Sequence, residues 1–135
     1  MFEKNYNFFG VELDCQVLTF SSTFHKESDA YAYLKKISTA AGYKYTRIET
    51  VNQIGFPDII LLKGERYFLI EAKRLDKKNL TSLEDDLKWQ FGQIAFAVRS
   101  VTLELSYALV VCKDNKLAII GQEQTLCRLK NSLHY

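Results

Sequence analysis

The chain has 135 residues, the length of one ordinary domain, and its 47% hydrophobic and 25% charged residues are typical of a globular protein. Its 18 Lys and Arg against 16 Asp and Glu give a net charge of +2, which excludes a histone-like tail or a uniformly basic nucleic-acid coat. Its apolar runs are much shorter than the roughly 20 residues that a membrane-spanning helix needs. We therefore expect a single domain over residues 1–135 without a transmembrane segment.

The cysteines and the first residues bear on the cellular compartment. Cys15, Cys112 and Cys127 are odd in number, lie far apart and lack the spacing of a zinc site or a disulfide framework. Glu3 and Lys4 interrupt the stretch in which a secretory signal would be apolar. We expect a protein of the reducing cytoplasm, or of the host-cell cytoplasm if it is viral, that is not secreted.

The predicted elements begin with a strand from Phe9 to Val17, in which apolar and polar residues alternate. A helix follows, capped by Ser28 or Asp29 and ended by Gly42. Its apolar stripe consists of Ala30, Tyr31, Leu34, Ile37 and Ala41. The remaining elements are three strands, a helix, two strands and a closing helix: 43–51, 58–62, 67–72, about 82–98, 107–112, 117–120 and 122–133. This order predicts an α/β domain with a mixed sheet.

The most informative stretch is a predicted hairpin whose strands carry charged residues at adjoining ends. Pro57 precedes the first strand, which suits a residue with a fixed φ and no N–H to donate. A two-residue type II′ turn at Gly64-Glu65 sets a register in which Asp58 faces Glu71. Because residues two apart share a face of a strand, Lys73 joins them. The sequence therefore predicts that these three charged side chains converge.

Two opposed carboxylates repel each other unless a cation lies between them. Their hard oxygen ligands suit Mg²⁺ or Mn²⁺, and a neighbouring lysine can orient an attacking water and stabilise charge on a phosphate. The combination is that of a metal-dependent phosphodiesterase. The alternative is a solvated hairpin with an ordinary ion pair, Glu71 with Lys73 or Asp58 with Arg74, since an ExK sequence alone is very common.

Pro57-Asp58, twelve residues and then Glu71-Ala72-Lys73 resemble the motif of the PD-(D/E)xK nuclease superfamily, and the resemblance covers about residues 25–112. Gly55-Phe56-Pro57-Asp58, with a glutamine in the next helix, is most similar to the virus-type replication–repair (VRR-NUC) nucleases, with Holliday-junction resolvases as near relatives. The resemblance implies a restriction-endonuclease-like αβββαβ core, here with an extra N-terminal strand and a C-terminal strand and helix. It also implies a Mg²⁺- or Mn²⁺-dependent DNA endonuclease that acts on branched DNA in viral or mobile-element replication and repair.

The resemblance also implies roles for residues of the motif. Asp58 and Glu71 would be metal ligands, and the backbone carbonyl of Ala72 would be a further ligand. Lys73 would act on the nucleophilic water. These four residues lie in the predicted hairpin.

Residues outside the hairpin complete the candidate site. Gln90 matches the helix glutamine that supports the site in such nucleases, with a surface glutamine as the alternative. Glu27 is the candidate for a further acidic ligand from the first helix, although an acid there also complements the helix dipole. Arg74, Lys77 and Lys78 follow the motif and are candidates for contacts with DNA phosphates, or form a solvated loop.

The partners expected from the sequence are DNA, a second copy of the chain and a replication or repair protein. The first strand has one apolar face, which we interpret as an exposed sheet edge or a dimer contact. A homodimer would supply two active sites for symmetric nicking. The alternatives to a self-sufficient nuclease are a nucleic-acid-binding module that does not cleave and a nuclease subunit of a larger replication or restriction assembly.

Overall fold

The computed structural model describes residues 5–8, 11–48, 57–74 and 106–135. These residues form seven strands and two helices: β1 Asn5–Phe8, β2 Val11–Thr19, α1 Glu27–Ala40, β3 Lys44–Arg47, β4 Ile59–Lys63, β5 Arg66–Arg74, β6 Tyr107–Lys113, β7 Lys116–Gly121 and α2 Glu123–Leu133. The strands form one sheet in the order β1-β2-β7-β6-β5-β4-β3. β5 and β6 are parallel and the other described pairs are antiparallel. The prediction of an α/β chain with a mixed sheet is confirmed, and neither described helix is long and apolar enough to cross a membrane.

Both described helices pack on the same face of the sheet, because alternate strand residues present an apolar surface to them. This core includes Ala30, Tyr31 and Leu34 of α1, Leu126, Leu129 and Leu133 of α2, and the strand residues Ile59, Leu61, Phe68, Ile70, Ala72, Ala108, Val110, Leu117 and Ile119. The opposite face of the two central strands is buried as well, at Leu109, Val111, Ala118 and Ile120. β6 and β7 are therefore apolar on both faces, as central strands of an α/β sheet commonly are.

Helix α1 carries the predicted stripe and ends as predicted, but it begins differently. Gly42 adopts a φ of 86°, the left-handed conformation that glycine accepts at a helix end. The N-cap is Lys26, and Ser28 and Asp29 lie inside the first turn. From there the carboxylate of Asp29 accepts the N–H groups of His25 at 2.8 Å and Lys26 at 3.2 Å. Asp29, one of the two predicted cap residues, therefore accepts backbone N–H groups before the helix from the third helical position, as in a capping box.

The strand predicted over Phe9 to Val17 corresponds to β2. β2 is hydrogen-bonded to β1 over its first four residues, 11–14, and to β7 on the other side over residues 14–19. The edge interpretation is therefore wrong for the start of β2, whereas no described strand pairs with the β1 side of residues 15–19. β1, which has four residues, was not predicted from the sequence.

The β4–β5 hairpin has the predicted register. Its pairs continue from the turn to Ile59 opposite Ile70. Gly64, the first turn residue, has a φ of 61°, whereas Glu65 is not among the described residues with positive φ. This is the pattern of a type II′ turn, which matches the right-handed twist of the strands it joins. The helix predicted over about 82–98 lies outside the described residues.

Candidate active site

The hairpin places Asp58, just before β4, and Glu71, in β5, at neighbouring positions, with β4 one strand in from the edge strand β3. The described β4–β5 ladder ends with Ile59 opposite Ile70, and one further step in the same register sets Asp58 opposite Glu71. Both residues are partly buried. On its other side β5 pairs with β6, where Glu71 lies beside Leu109. The site therefore lies at the end of the β4–β5 ladder, beside the buried strand β6.

Asp58 is held by three hydrogen bonds from three different elements. Oδ2 of its carboxylate accepts the Tyr31 hydroxyl of α1 at 2.9 Å and the Ala72 N–H of β5 at 3.2 Å. Its main-chain carbonyl accepts the N–H of Ile48, just after β3, at 2.7 Å. The carboxylate is thus fixed relative to both α1 and β5.

Pro57 explains why the N–H of Ala72 donates to the Asp58 side chain and not to the main chain of the facing strand. The Leu69 N–H donates to the Ser106 carbonyl at 2.8 Å, on the β6 side, so by alternation the N–H and C=O of Ala72 point to the β4 side. The register sets Ala72 opposite Pro57, which has no N–H to donate. The N–H of Ala72 bonds to Asp58 instead, and the Ala72 carbonyl receives no ladder hydrogen bond from residue 57.

A buried tyrosine lies on the same face of the sheet as Glu71. Tyr107 pairs with Leu69 in the parallel ladder, so its side chain shares the face of Leu69 and Glu71. Its hydroxyl is buried and has no hydrogen-bond partner among the described groups. Burial, and then the negative charges of Glu71 and Asp58, raise the pKa of Tyr107 well above its usual value. The negative charges of both carboxylates therefore favour the protonated form of the same hydroxyl.

A second tyrosine approaches Asp58 from the helix side of the sheet. Burial, the Asp58 charge and the hydrogen bond to Asp58 raise the pKa of Tyr31 far above its ordinary value, so this side chain remains a proton donor at neutral pH. The guanidinium of Arg47 lies 4.1 Å from the centre of the Tyr31 ring, within cation–π range. Tyr31 is therefore in contact with both a cation and a carboxylate.

The other predicted site residues fall in different parts of the chain. Glu27 is the exposed first residue of α1 and lies one helical turn before Tyr31, whose pKa its charge also raises. Lys73 and Arg74 are the last two residues of β5, opposite Val111 and Cys112 of β6. The remaining predicted site residues, Gln90, Lys77 and Lys78, lie outside the described residues.

Sequence reasoning missed the roles of Tyr31, Arg47 and Tyr107. Tyr31 was assigned to the apolar stripe of α1, where it does lie. The available signal was chemical, because a tyrosine on a buried stripe still needs a partner for its hydroxyl. The strand patterns predict only that Tyr107 begins one strand and that Arg47 lies within another.

Within the described residues, no group of three or more His, Cys, Asp or Glu side chains comes together as a metal cluster. The arrangement there is one of two carboxylates and a main-chain carbonyl at adjoining strand positions. Such a set can hold a hard divalent cation that keeps water in its remaining coordination positions.

The sequence matches no protein-family model, and no curated protein or solved structure is significantly similar to it. The function of the chain has to be inferred from its own residues and geometry.

Proposed function

We propose that the chain is a Mg²⁺- or Mn²⁺-dependent DNA endonuclease of the PD-(D/E)xK type, which hydrolyses phosphodiester bonds in branched DNA. The observation that carries this proposal is the β4–β5 register, which brings Asp58 and Glu71 together and ties Ala72 to Asp58. This placement of Asp58, Glu71 and Ala72 supports the proposal.

The strand arrangement also supports the proposal. Helix α1 precedes an antiparallel β3–β4–β5 meander, and β6 then lies parallel to β5. This is the arrangement expected of an αβββαβ core, except that its second helix would fall in the segment outside the described residues.

Three features of the site fit a divalent cation. Two carboxylates at opposed positions are mutually unfavourable without a positive charge. The Ala72 carbonyl points to the side where Pro57 has no N–H to offer. The buried Tyr107 hydroxyl lies within the influence of both carboxylates without a described partner. Asp58, Glu71 and the Ala72 carbonyl would hold the ion.

When bound, the cation would lower the pKa of a coordinated water and stabilise charge on the phosphate. The residues of the chain would supply the remaining functions. Lys73, two positions after Glu71 in β5, would orient the attacking water. The protonated Tyr107 hydroxyl can donate a hydrogen bond to a water or a phosphate oxygen.

Other residues would hold the substrate and complete the site. Arg74, Lys77 and Lys78 directly follow the motif and would contact DNA phosphates on either side of the scissile bond. Glu27 and Gln90 would support the metal site from α1 and from the predicted helix over 82–98.

The proposal is tested by incubating the full chain with four-way, flapped and linear DNA of matched sequence, in Mn²⁺, Mg²⁺ or EDTA. We expect cleavage that requires metal, favours the branched substrates and leaves 5′-phosphate and 3′-hydroxyl ends. Binding of DNA without cleavage would indicate a non-catalytic module. If the chain neither binds nor cleaves any of these substrates, both functions are contradicted. Light scattering on the same sample tests the expected homodimer.

A further inference from the structure

We propose that Tyr31 is a positioning residue of this site: its hydroxyl occupies Oδ2 of Asp58 and so directs Oδ1 of that carboxylate to the divalent cation. The inference rests on the proposed metal site. It adds a residue outside the motif and assigns different tasks to the two oxygens of one ligand.

The first argument is the unequal use of the two carboxylate oxygens. Oδ2 accepts both the Tyr31 hydroxyl at 2.9 Å and the Ala72 N–H at 3.2 Å. A carboxylate oxygen has two lone-pair directions, and two donors satisfy both of them. Neither of these two bonds falls on Oδ1, the oxygen that the proposal assigns to the cation.

The second argument is the rigidity of the donor. Tyr31 is 8% exposed and packs in the core with its helix neighbours Ala30 and Leu34, which are 0% and 1% exposed. The Arg47 guanidinium lies over its ring at 4.1 Å. A ring held by the core and by a stacked cation has little freedom to turn its hydroxyl away from Asp58.

Loss of this bond would leave Ala72 as the one described donor to the Asp58 side chain. The carboxylate could then rotate and share either oxygen between donors and cation. Residues that orient a metal ligand through a hydrogen bond commonly contribute about 10- to 100-fold to metal affinity. We expect an effect of this size for the Tyr31 hydroxyl.

The test is the affinity of the full chain for Mn²⁺, measured by isothermal titration calorimetry. Tyr31→Phe removes the hydroxyl and keeps the ring that packs in the core and against Arg47. We expect its dissociation constant for Mn²⁺ to rise about 10- to 100-fold. The matched control is Tyr33→Phe on the same helix, whose ring packs against Phe20 at 4.9 Å and which should bind Mn²⁺ as the wild type does.

Two further measurements separate positioning from a general effect on folding. The rise in melting temperature caused by Mn²⁺ is compared with each variant's own metal-free value, so that a destabilised Tyr31→Phe remains informative. Its cleavage rate is then followed as Mn²⁺ increases. We expect the rate to approach that of the wild type at saturating Mn²⁺, whereas a merely structural defect would lower the rate at every concentration.

Two outcomes would count against the inference, and they are distinguishable. Equal Mn²⁺ affinities of the wild type and Tyr31→Phe would overturn the positioning role and leave the metal site standing. A wild type that binds no Mn²⁺, or binding that survives Asp58→Ala, would overturn the proposed site and the role of Tyr31 with it.

Discussion

The backbone N–H of Ala72 donates to Oδ2 of Asp58 at 3.2 Å, at the point where Pro57 interrupts the pairing of β4 with β5. Proline lacks the N–H that a regular ladder would supply to the facing strand. The interruption thus leaves a carboxylate and a main-chain carbonyl side by side. The proline thus accounts physically for the position of Asp58, because it leaves the N–H of Ala72 free to bond to the Asp58 carboxylate.

If the proposed mechanism holds, replacement of either Glu71 or Lys73 with alanine is expected to lower the rate of DNA cleavage by about 100-fold or more, since each variant would lack a charge assigned to the metal or to the attacking water. The measurement is the rate of cleavage of a four-way junction in Mn²⁺. Glu65→Ala, in the exposed turn at the other end of β5, is the matched control and should cleave as the wild type does. Cleavage that persists in Glu71→Ala would refute the proposed site.

Phe68→Ala is expected to lower the free energy of unfolding by about 3–5 kcal/mol, because it opens a cavity under the hairpin. Phe68 is 1% exposed and its ring lies 5.9 Å from that of Tyr43. Leu62→Ala, at a position of the same hairpin that is 42% exposed, should cost less than about 1 kcal/mol. Urea denaturation measures both values, and equal losses would contradict the described packing of β4 and β5.

Asp29→Ala is expected to lower the melting temperature at pH 7, and the difference from the wild type should shrink at acid pH. The N–H groups of His25 and Lys26 hold the pKa of Asp29 below its usual value of 3.8. A carboxyl group whose pKa is lowered on folding stabilises the protein above its unfolded pKa, and this stabilisation is lost as the pH falls through the folded pKa.

Thermal unfolding at pH 7, 5, 3 and 2 checks this dependence, with Glu65→Ala as a control for the general effect of losing a surface carboxylate. The Asp29 variant and the wild type should converge only below pH 3.8. A difference that stays constant down to pH 2 would show that the capping bonds at the start of α1 do not stabilise the fold.

Cys127 is expected to be the one fast-reacting thiol of the three. It is exposed, whereas Cys112 is buried and Cys15 is partly buried. Burial, and then the charge of Asp14, raise the pKa of Cys15 to about 11, so little thiolate is available at pH 8. Titration with a thiol-specific reagent should give one fast equivalent, which Cys127→Ser removes. Two fast equivalents would contradict the burial of β2 or β6.

The hairpin was predictable from the sequence because its determinants are local. A glycine at the first position of a two-residue turn favours one turn type, and that turn fixes every pair along the strands. The observed pairing of Ile59 with Ile70 is the pairing that this turn requires. The stripe of α1 was predictable for the same reason, since its spacing is set by the helix itself.

The environment of β2 was not predictable in this way. Its alternation indicated a half-buried strand but not which segments pair with it. That choice depends on β1, four residues long, and on β7, which is about 100 residues distant in sequence. Local periodicity carries no information about such partners, so it could not predict that β1 pairs with the first four residues of β2.

The sequence by itself determined the chemistry at the hairpin: Pro57, Asp58 and Glu71, and the register that aligns them. Only the tertiary structure decided that Tyr31, on α1, would donate its hydroxyl to Asp58, 27 residues away. Helical periodicity predicts that Tyr31 is buried, because burial depends on the face that a residue occupies. It does not predict which atom the hydroxyl meets, because that depends on how α1 lies across the end of β4.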